Sequence, residues 1–140
     1  MFTTPKRSRR SAFSLVELVV VVLIVGILAA VVAPKMFDTA GEARDSATRA
    51  SLAVVRDAIE LYRSQNGSYP SAANIKSDLR NYYKGTFPKV QTSKVGTAKQ
   101  NNDVAASTAD PITVVTGNNG WAYNATTGEF VVNHADCLAW

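Results

Sequence analysis

Cysteine is nearly absent, with Cys137 alone among 140 residues. A lone thiol excludes an intrachain disulfide, and cysteine usage leaves the compartment open. Histidine is as scarce, with His134 the only one. The chain has no CxxC pair, no HExxH and no glycine-rich phosphate loop, so the common signatures of zinc sites, metalloproteases and nucleotide binding are missing. His134, Asp136 and Cys137 cluster near the C-terminus, but without a second ligand cluster they are weak grounds for a metal centre or a Cys–His pair. Cys137 reads better as a small buried apolar residue. No metal, other cofactor or catalytic residue is expected, and the chain reads as non-enzymatic. Asn66-Gly67-Ser68 and Asn124-Ala125-Thr126 fit a glycosylation pattern that is short and means nothing without the machinery.

Charge is missing altogether from Leu18 to Ala33. The net charge of +4 comes from Lys6, Arg7, Arg9 and Arg10, because eleven basic residues balance eleven acidic ones from Phe13 onward. Such a block beside an apolar run fits membrane topology better than nucleic-acid binding, which a high pI would otherwise suggest. The length supports one modest domain, and the polar remainder beyond the run can bury only a small core.

Phe13 to Ala33 is long enough to cross a bilayer core, which takes about 20 helical residues. The basic block before it places the N-terminus in the cytoplasm and the C-terminal domain outside. A secretory signal has an apolar region of roughly 7–15 residues. This run is longer, and a helical pattern continues past Pro34. A plain single-pass anchor explains everything except Glu17. A carboxylate near the bilayer centre costs about 2.5–3.5 kcal/mol, less toward the edge. Glu17 therefore either snorkels to the cytoplasmic interface or is kept for a partner.

Arg9-Arg10-Ser11-Ala12-Phe13-Ser14-Leu15-Val16-Glu17-Leu18, then Val19 to Ala33, Pro34 and Lys35, resembles the N-terminal signature of type IV prepilins and type II secretion pseudopilins, the G-type major pseudopilins among them. That signature combines a basic leader, a cut before Phe, a Glu four residues on, and an apolar helix ending in proline. Asn66-Gly67-Ser68-Tyr69-Pro70 resembles the NGxYP that ends the long helix in many pseudopilins. The family has Gly before the cut, and here Ala12 stands there. The resemblance implies that a membrane prepilin peptidase cleaves between Ala12 and Phe13 and methylates the new Phe13 amine. It further implies that Glu17 neutralises that amine on a neighbouring subunit, consistent with the need of a buried carboxylate for a paired charge. Some pseudopilins hold calcium in an acidic C-terminal loop. Asp110, Glu129 and Asp136 are scattered here, so calcium is not carried over.

Pro34 should end or kink the first helical stretch. Beyond it, Met36, Ala40, Ala43, Ala47, Ala50, Val54, Ala58 and Leu61 make a stripe at helical spacing. From Val54 onward this stripe is expected to pack on the chain's own domain. From Met36 to Ala50, packing on that domain or on neighbouring subunits is equally open. Asn66-Gly67 should stop the helix near Gln65. Ser71 then caps a short helix over 71–84, with Ile75, Leu79 and Tyr82 on one face and Gly85 closing it. Thr86 to Asp110 reads as a loop with room for a weak strand at Lys89–Gln91. Ile112 to Thr116 reads as a strand. Trp121–Asn124 and Glu129–Asn133 read as a hairpin.

The expectation is an α+β, pilin-like fold: a long N-terminal helix, its N-half transmembrane, packed on a small antiparallel sheet. Residues 1–12 are the cleaved leader, 13–34 the transmembrane or filament-core half, and 35–140 the periplasmic or extracellular domain, with helix 35–65, short helix 71–84, loop 86–110 and sheet 111–133. The resemblance implies a subunit of a type II secretion pseudopilus, anchored once in a bacterial inner membrane. Its partners are other pilin subunits, the prepilin peptidase, an assembly platform and membrane lipid, with no nucleic acid. The alternative is a type IV pilus subunit serving adhesion, motility or DNA uptake. A membrane-anchored enzyme or sensor needs a convergent polar site in the globular domain, and none is visible.

Overall fold

The computed structural model describes residues 13–140. The leader residues Lys6, Arg7, Arg9 and Arg10 and the cleavage-site residue Ala12 lie outside the described residues. Helix α1 runs from Leu15 to Asn66 with Pro34 inside it. Its first third is dominated by valine, a poor helix former in water. In lipid, however, a helix satisfies every backbone group within the segment. Of the two outcomes expected at Pro34, an end or a kink, the helix does not end there. Proline removes one backbone bond, and the turns on either side still hold theirs.

The chain divides into two compact units, Met1–Asp38 and Thr39–Trp140. Within the second, α1 stops where expected. Gly67 takes a positive φ of 75°, and its N–H donates to the Arg63 carbonyl at 2.8 Å. The Asn66 amide donates to the Tyr62 carbonyl at 2.9 Å. Together they satisfy carbonyls that the helix end leaves open. Arg63 lies in the last turn, where a cation suits the helix dipole.

The core face of α1 is Leu52, Val55, Ala58 and Ile59, all buried. They pack in one cluster with Ile75, Leu79, Phe87, Val90, Trp121, Tyr123, Phe130, Val132 and Cys137. The stripe read from the sequence is therefore out of phase for most of its length. Ala58 is buried, but Val54 and Leu61 are 50% and 46% exposed. Two apolar arcs overlap on this helix, and the bulkier one fills the core.

After α1 comes a single helical turn, α2 (Ile75–Asp78), continued by a 3₁₀ turn over Leu79–Asn81. It is shorter than the expected helix over 71–84. Ser71 lies before the helix and accepts the Asn74 N–H through its backbone carbonyl, at 3.1 Å. The expected inward face holds for Ile75 and Leu79, both buried, and Tyr82 is half-buried.

The sheet has three strands in spatial order β1 (Val104–Ala106), β2 (Trp121–Tyr123), β3 (Phe130–Val132). β2 and β3 form the expected antiparallel hairpin, with Ala122 opposite Val131. β1 runs parallel to β2, with Ala105 opposite Ala122, so the sheet is mixed rather than antiparallel. Neither Lys89–Gln91 nor Ile112–Thr116 is a strand. The Ile112 N–H donates to the Glu129 carboxylate at 2.7 Å and the Val115 N–H to Asn133 Oδ1 at 2.7 Å. Side chains thus take the bonds that a neighbouring strand would have made. One sheet face packs toward α1. The other carries Ala122 and Val131 against Ile112, with Val115 and Leu138 alongside.

Candidate membrane and assembly segment

From Phe13 to Met36 every described side chain is exposed. The large apolar ones range from 45% exposed at Val20 to 79% at Leu15. A soluble domain rarely leaves so much contiguous apolar surface open. The helix is long and apolar enough to cross a membrane. Glu17 sits in its first turn, where unpaired N–H groups and the helix dipole favour a carboxylate. The Leu18 N–H already bonds the Ser14 carbonyl at 3.2 Å. Phe13 and Glu17 therefore lie at the start of one apolar rod.

The second motif, Asn66 to Pro70, joins α1 to the sheet. Tyr69 donates its hydroxyl to Glu60 Oε1 at 3.1 Å and accepts from Arg63 Nη1 at 2.6 Å, while the Arg63 guanidinium lies over its ring. Tyr123 donates to the Pro70 carbonyl at 3.0 Å. Burial pushes the Tyr123 phenol well above its ordinary pKa, and the neighbouring Tyr69 and Glu60 push the same way.

His134 and Asp136 approach each other, with Nδ1 3.9 Å from the carboxylate, but Cys137 does not join them. The His134 ring accepts a bond from the Asp136 backbone N–H at 3.4 Å, and Cys137 is fully buried in the core. Burial raises the Cys137 thiol pKa, which keeps it a poor nucleophile near neutral pH. Among the described residues no group of three His, Cys, Asp or Glu side chains could hold a metal.

Arg56 and Trp140 were not singled out from the sequence. Arg56 donates through Nε to the Phe130 carbonyl at 2.9 Å and through Nη1 to the Trp140 carbonyl at 2.8 Å. Burial lowers its pKa, opposed by the nearby Glu129 carboxylate. The Trp140 ring carries the Arg49 guanidinium 4.4 Å from its centre and the Lys94 ammonium at 5.1 Å. No local pattern announces this long-range stitch.

Comparison with known proteins bears on the apolar segment first. Residues 7–33 match the family described as the prokaryotic N-terminal methylation motif. Arg7, Arg9, Arg10, Phe13 and Glu17 fall inside this match, and Lys6 precedes it. The chain is also similar to type II secretion system core protein G of Pseudomonas aeruginosa, 35% identical over 66 residues, covering 47% of this chain and 46% of that protein. The protein of the same name from Aeromonas hydrophila is 30% identical over 66 residues, again 47% and 46%. That from Klebsiella pneumoniae is 28% identical over 89 residues, covering 56% of this chain and 64% of the relative. The chain thus spans about half to two thirds of the length of the curated relatives it matches. No solved structure matches the chain significantly.

Proposed function

We propose that this chain is a structural, non-enzymatic subunit of a type II secretion pseudopilus, a helical filament drawn from the bacterial inner membrane. One observation carries the reading: the match to the methylation motif runs into an apolar helix whose side chains are exposed from Leu15 to Met36, which holds a single acid there and continues into the globular unit. Lys6, Arg7, Arg9 and Arg10 keep the leader in the cytoplasm. The prepilin peptidase cuts between Ala12 and Phe13 and methylates Phe13. Glu17 pairs with the Phe13 amine of a neighbouring subunit, and charge neutralisation offsets the cost of a carboxylate among apolar helices. Pro34, which lacks an N–H, gives α1 a place to bend as residues 13–34 leave lipid. The globular unit, outside the membrane, works with an assembly platform and other pilin-like subunits, and nucleic acid is not among its partners.

The type IV pilus reading shares this chemistry, and the names of the similar proteins favour secretion. The test is filament isolation from cells that make the chain, with intact mass measured on the subunits. The expected result is a filament whose subunits begin at a methylated Phe13. Subunits that retain Met1 in cells that process other prepilins overturn the processing step, and loss of the gene with no effect on secretion overturns the role.

A further inference from the structure

Between Asp78 and Asp103 the chain carries no acidic residue and five basic ones. Two of the five are engaged. Lys94 lies 3.8 Å from the Asp45 carboxylate, and Lys99 donates to the Asn133 carbonyl at 2.9 Å. Arg80, Lys84 and Lys89 are exposed, and none of the three has a hydrogen bond or ion pair with a described residue. The segment that carries them is pinned from below. Phe87 is buried and packs edge-on against Tyr83 and Phe130. The Trp121 indole N–H donates to the Pro88 carbonyl at 2.9 Å, and the Val90 N–H to the Asn101 carbonyl at 2.9 Å. Burial raises the Tyr83 phenol pKa and the Arg80 guanidinium opposes it, so this cation stands near that ring.

Two open grooves flank this segment. One, of about 350 Å³, runs between Ala50 and Val54 of α1 and Tyr82, Tyr83 and Pro88, with Lys84 in its lining. The other, of about 480 Å³, is lined by Lys89, Gln91 and Asn102. Thr86 and Pro88 line both, so the grooves meet there. Volumes of this size take a few side chains, not an α-helix about 10 Å across. We propose that this surface receives an extended acidic peptide segment of another protein. Its carboxylates meet Arg80, Lys84 and Lys89, and its apolar side chains enter the groove between Val54 and Tyr83. Other polyanions fit less well. Thr39–Trp140 holds ten basic and nine acidic residues, whereas a nucleic-acid binder carries a basic domain. An anionic lipid surface recruits clusters of roughly four to eight cations, and this surface offers three. The pinned segment loses little freedom on binding, which leaves more of the contact energy as affinity. No residue of the surface lies in the methylation motif, residues 7–33, so the site stands whether or not the subunit reading does.

The test uses the full chain in neutral detergent micelles. The probe is a fluorescein-labelled peptide of about ten residues, roughly 33 Å long when extended, in which glutamate alternates with valine. Fluorescence anisotropy should show saturable binding that weakens several-fold between about 50 and about 200 mM salt, because exposed charges are screened. The same peptide with glutamine in place of glutamate should not bind. The triple variant Arg80→Gln, Lys84→Gln, Lys89→Gln should keep the parent melting temperature, since these side chains hold nothing in the fold, and its Kd should rise roughly tenfold or more. Val54→Ser leaves every cation in place and should raise Kd several-fold through the apolar half of the contact. Equal binding by parent and triple variant, or equal binding of the glutamine peptide, overturns the site. Displacement of the probe by a single-stranded oligonucleotide, or by phosphatidylglycerol added to the micelles, at lower concentration than by unlabelled peptide overturns the choice of occupant.

Discussion

The phenol ring of Tyr69 fills the space that a side chain at Gly128 would occupy. Gly128 turns the β2–β3 connection at a φ of 80°, and its N–H closes the turn on the Asn124 carbonyl at 2.8 Å. Tyr69 is bonded to Glu60 and Arg63 of α1. The missing Cβ therefore lets the end of the long helix press against the hairpin.

Gly128→Ala meets two penalties, the left-handed backbone and the overlap with the ring. Together they should destabilise the globular unit by roughly 2–4 kcal/mol. Denaturant unfolding followed by fluorescence of the buried Trp121 measures this. Tyr69→Ala in the same chain removes the overlap but not the backbone strain, so the double variant should cost less than the sum of the two single ones. Additive costs would mean that ring and glycine do not share the space.

Tyr123 makes stability fall at alkaline pH. Its phenol pKa is raised in the folded state, chiefly by burial, so the folded chain keeps a proton that the unfolded chain releases above about pH 10. The contribution is whole below that pH and is lost as pH rises toward the folded value. Tyr123→Phe should cost about 1 kcal/mol at neutral pH through the lost bond to Pro70, and its melting temperature should fall less steeply above pH 10. Tyr83 and Cys137 are also raised by burial, so some slope remains. A slope identical to the parent's would show that Tyr123 ionises freely.

Much of this was legible in the sequence because it depends on local chemistry. The apolar segment needs no partner to be recognised, since no charge falls between Leu18 and Ala33. Asn66-Gly67 stops α1 through its own backbone geometry, and the hairpin announces itself by Trp121, Phe130 and a glycine turn. What was hidden depends on residues distant in sequence. β1 is three residues long and pairs in parallel with a strand that starts at Trp121, so no hairpin signal exists. Ile112 to Thr116 has strand composition, but Glu129 and Asn133 take its amides. Leu52, Val55 and Ile59 against Val54 and Leu61, with Ala58 shared by both, is a choice between two arcs of similar spacing, and only the shape of the sheet surface decides it. Phe13 and Glu17 were legible for the same local reason, since both stand within the stretch that matches the methylation motif, residues 7–33.

Glu17→Val separates insertion from assembly. Removing a carboxylate from the apolar helix relieves a cost of about 2.5–3.5 kcal/mol near the bilayer centre and less near its edge, so membrane levels should stay the same or rise. Filament formation should fail or slow sharply, because the Phe13 amine of a neighbour loses its counter-charge. Membrane fractionation with filament counting reads both outcomes. Normal filaments from the variant would show that Glu17 only snorkels to the interface.

A chain beginning at Lys35 tests the division of labour. Thr39–Trp140 is a compact unit by itself, with Leu52, Val55 and Ile59 packed against Trp121, Tyr123 and Phe130. Its long connections are tied by asparagine side chains. Asn101 donates to the Ala98 and Asn118 carbonyls at 2.8 and 2.6 Å and accepts the Gly120 N–H at 2.9 Å. Asn124 donates to the Ala109 carbonyl at 2.8 Å, and Asn133 to the Val115 and Asn119 carbonyls at 2.9 and 3.1 Å. Lys99 donates to the Asn133 carbonyl at 2.9 Å. With its own donors closing these loops, the unit should hold its shape without a bound ion. The truncated chain should be soluble and folded, with mixed helix and strand signals in circular dichroism and a melting temperature that a chelator leaves unchanged. It should sediment as a monomer, because the exposed apolar helix has been removed, and it should show no hydrolase activity. A chelator-induced drop of several degrees would mean that the loops hold a cation. A soluble but unfolded chain would mean that the globular unit depends on its filament for structure.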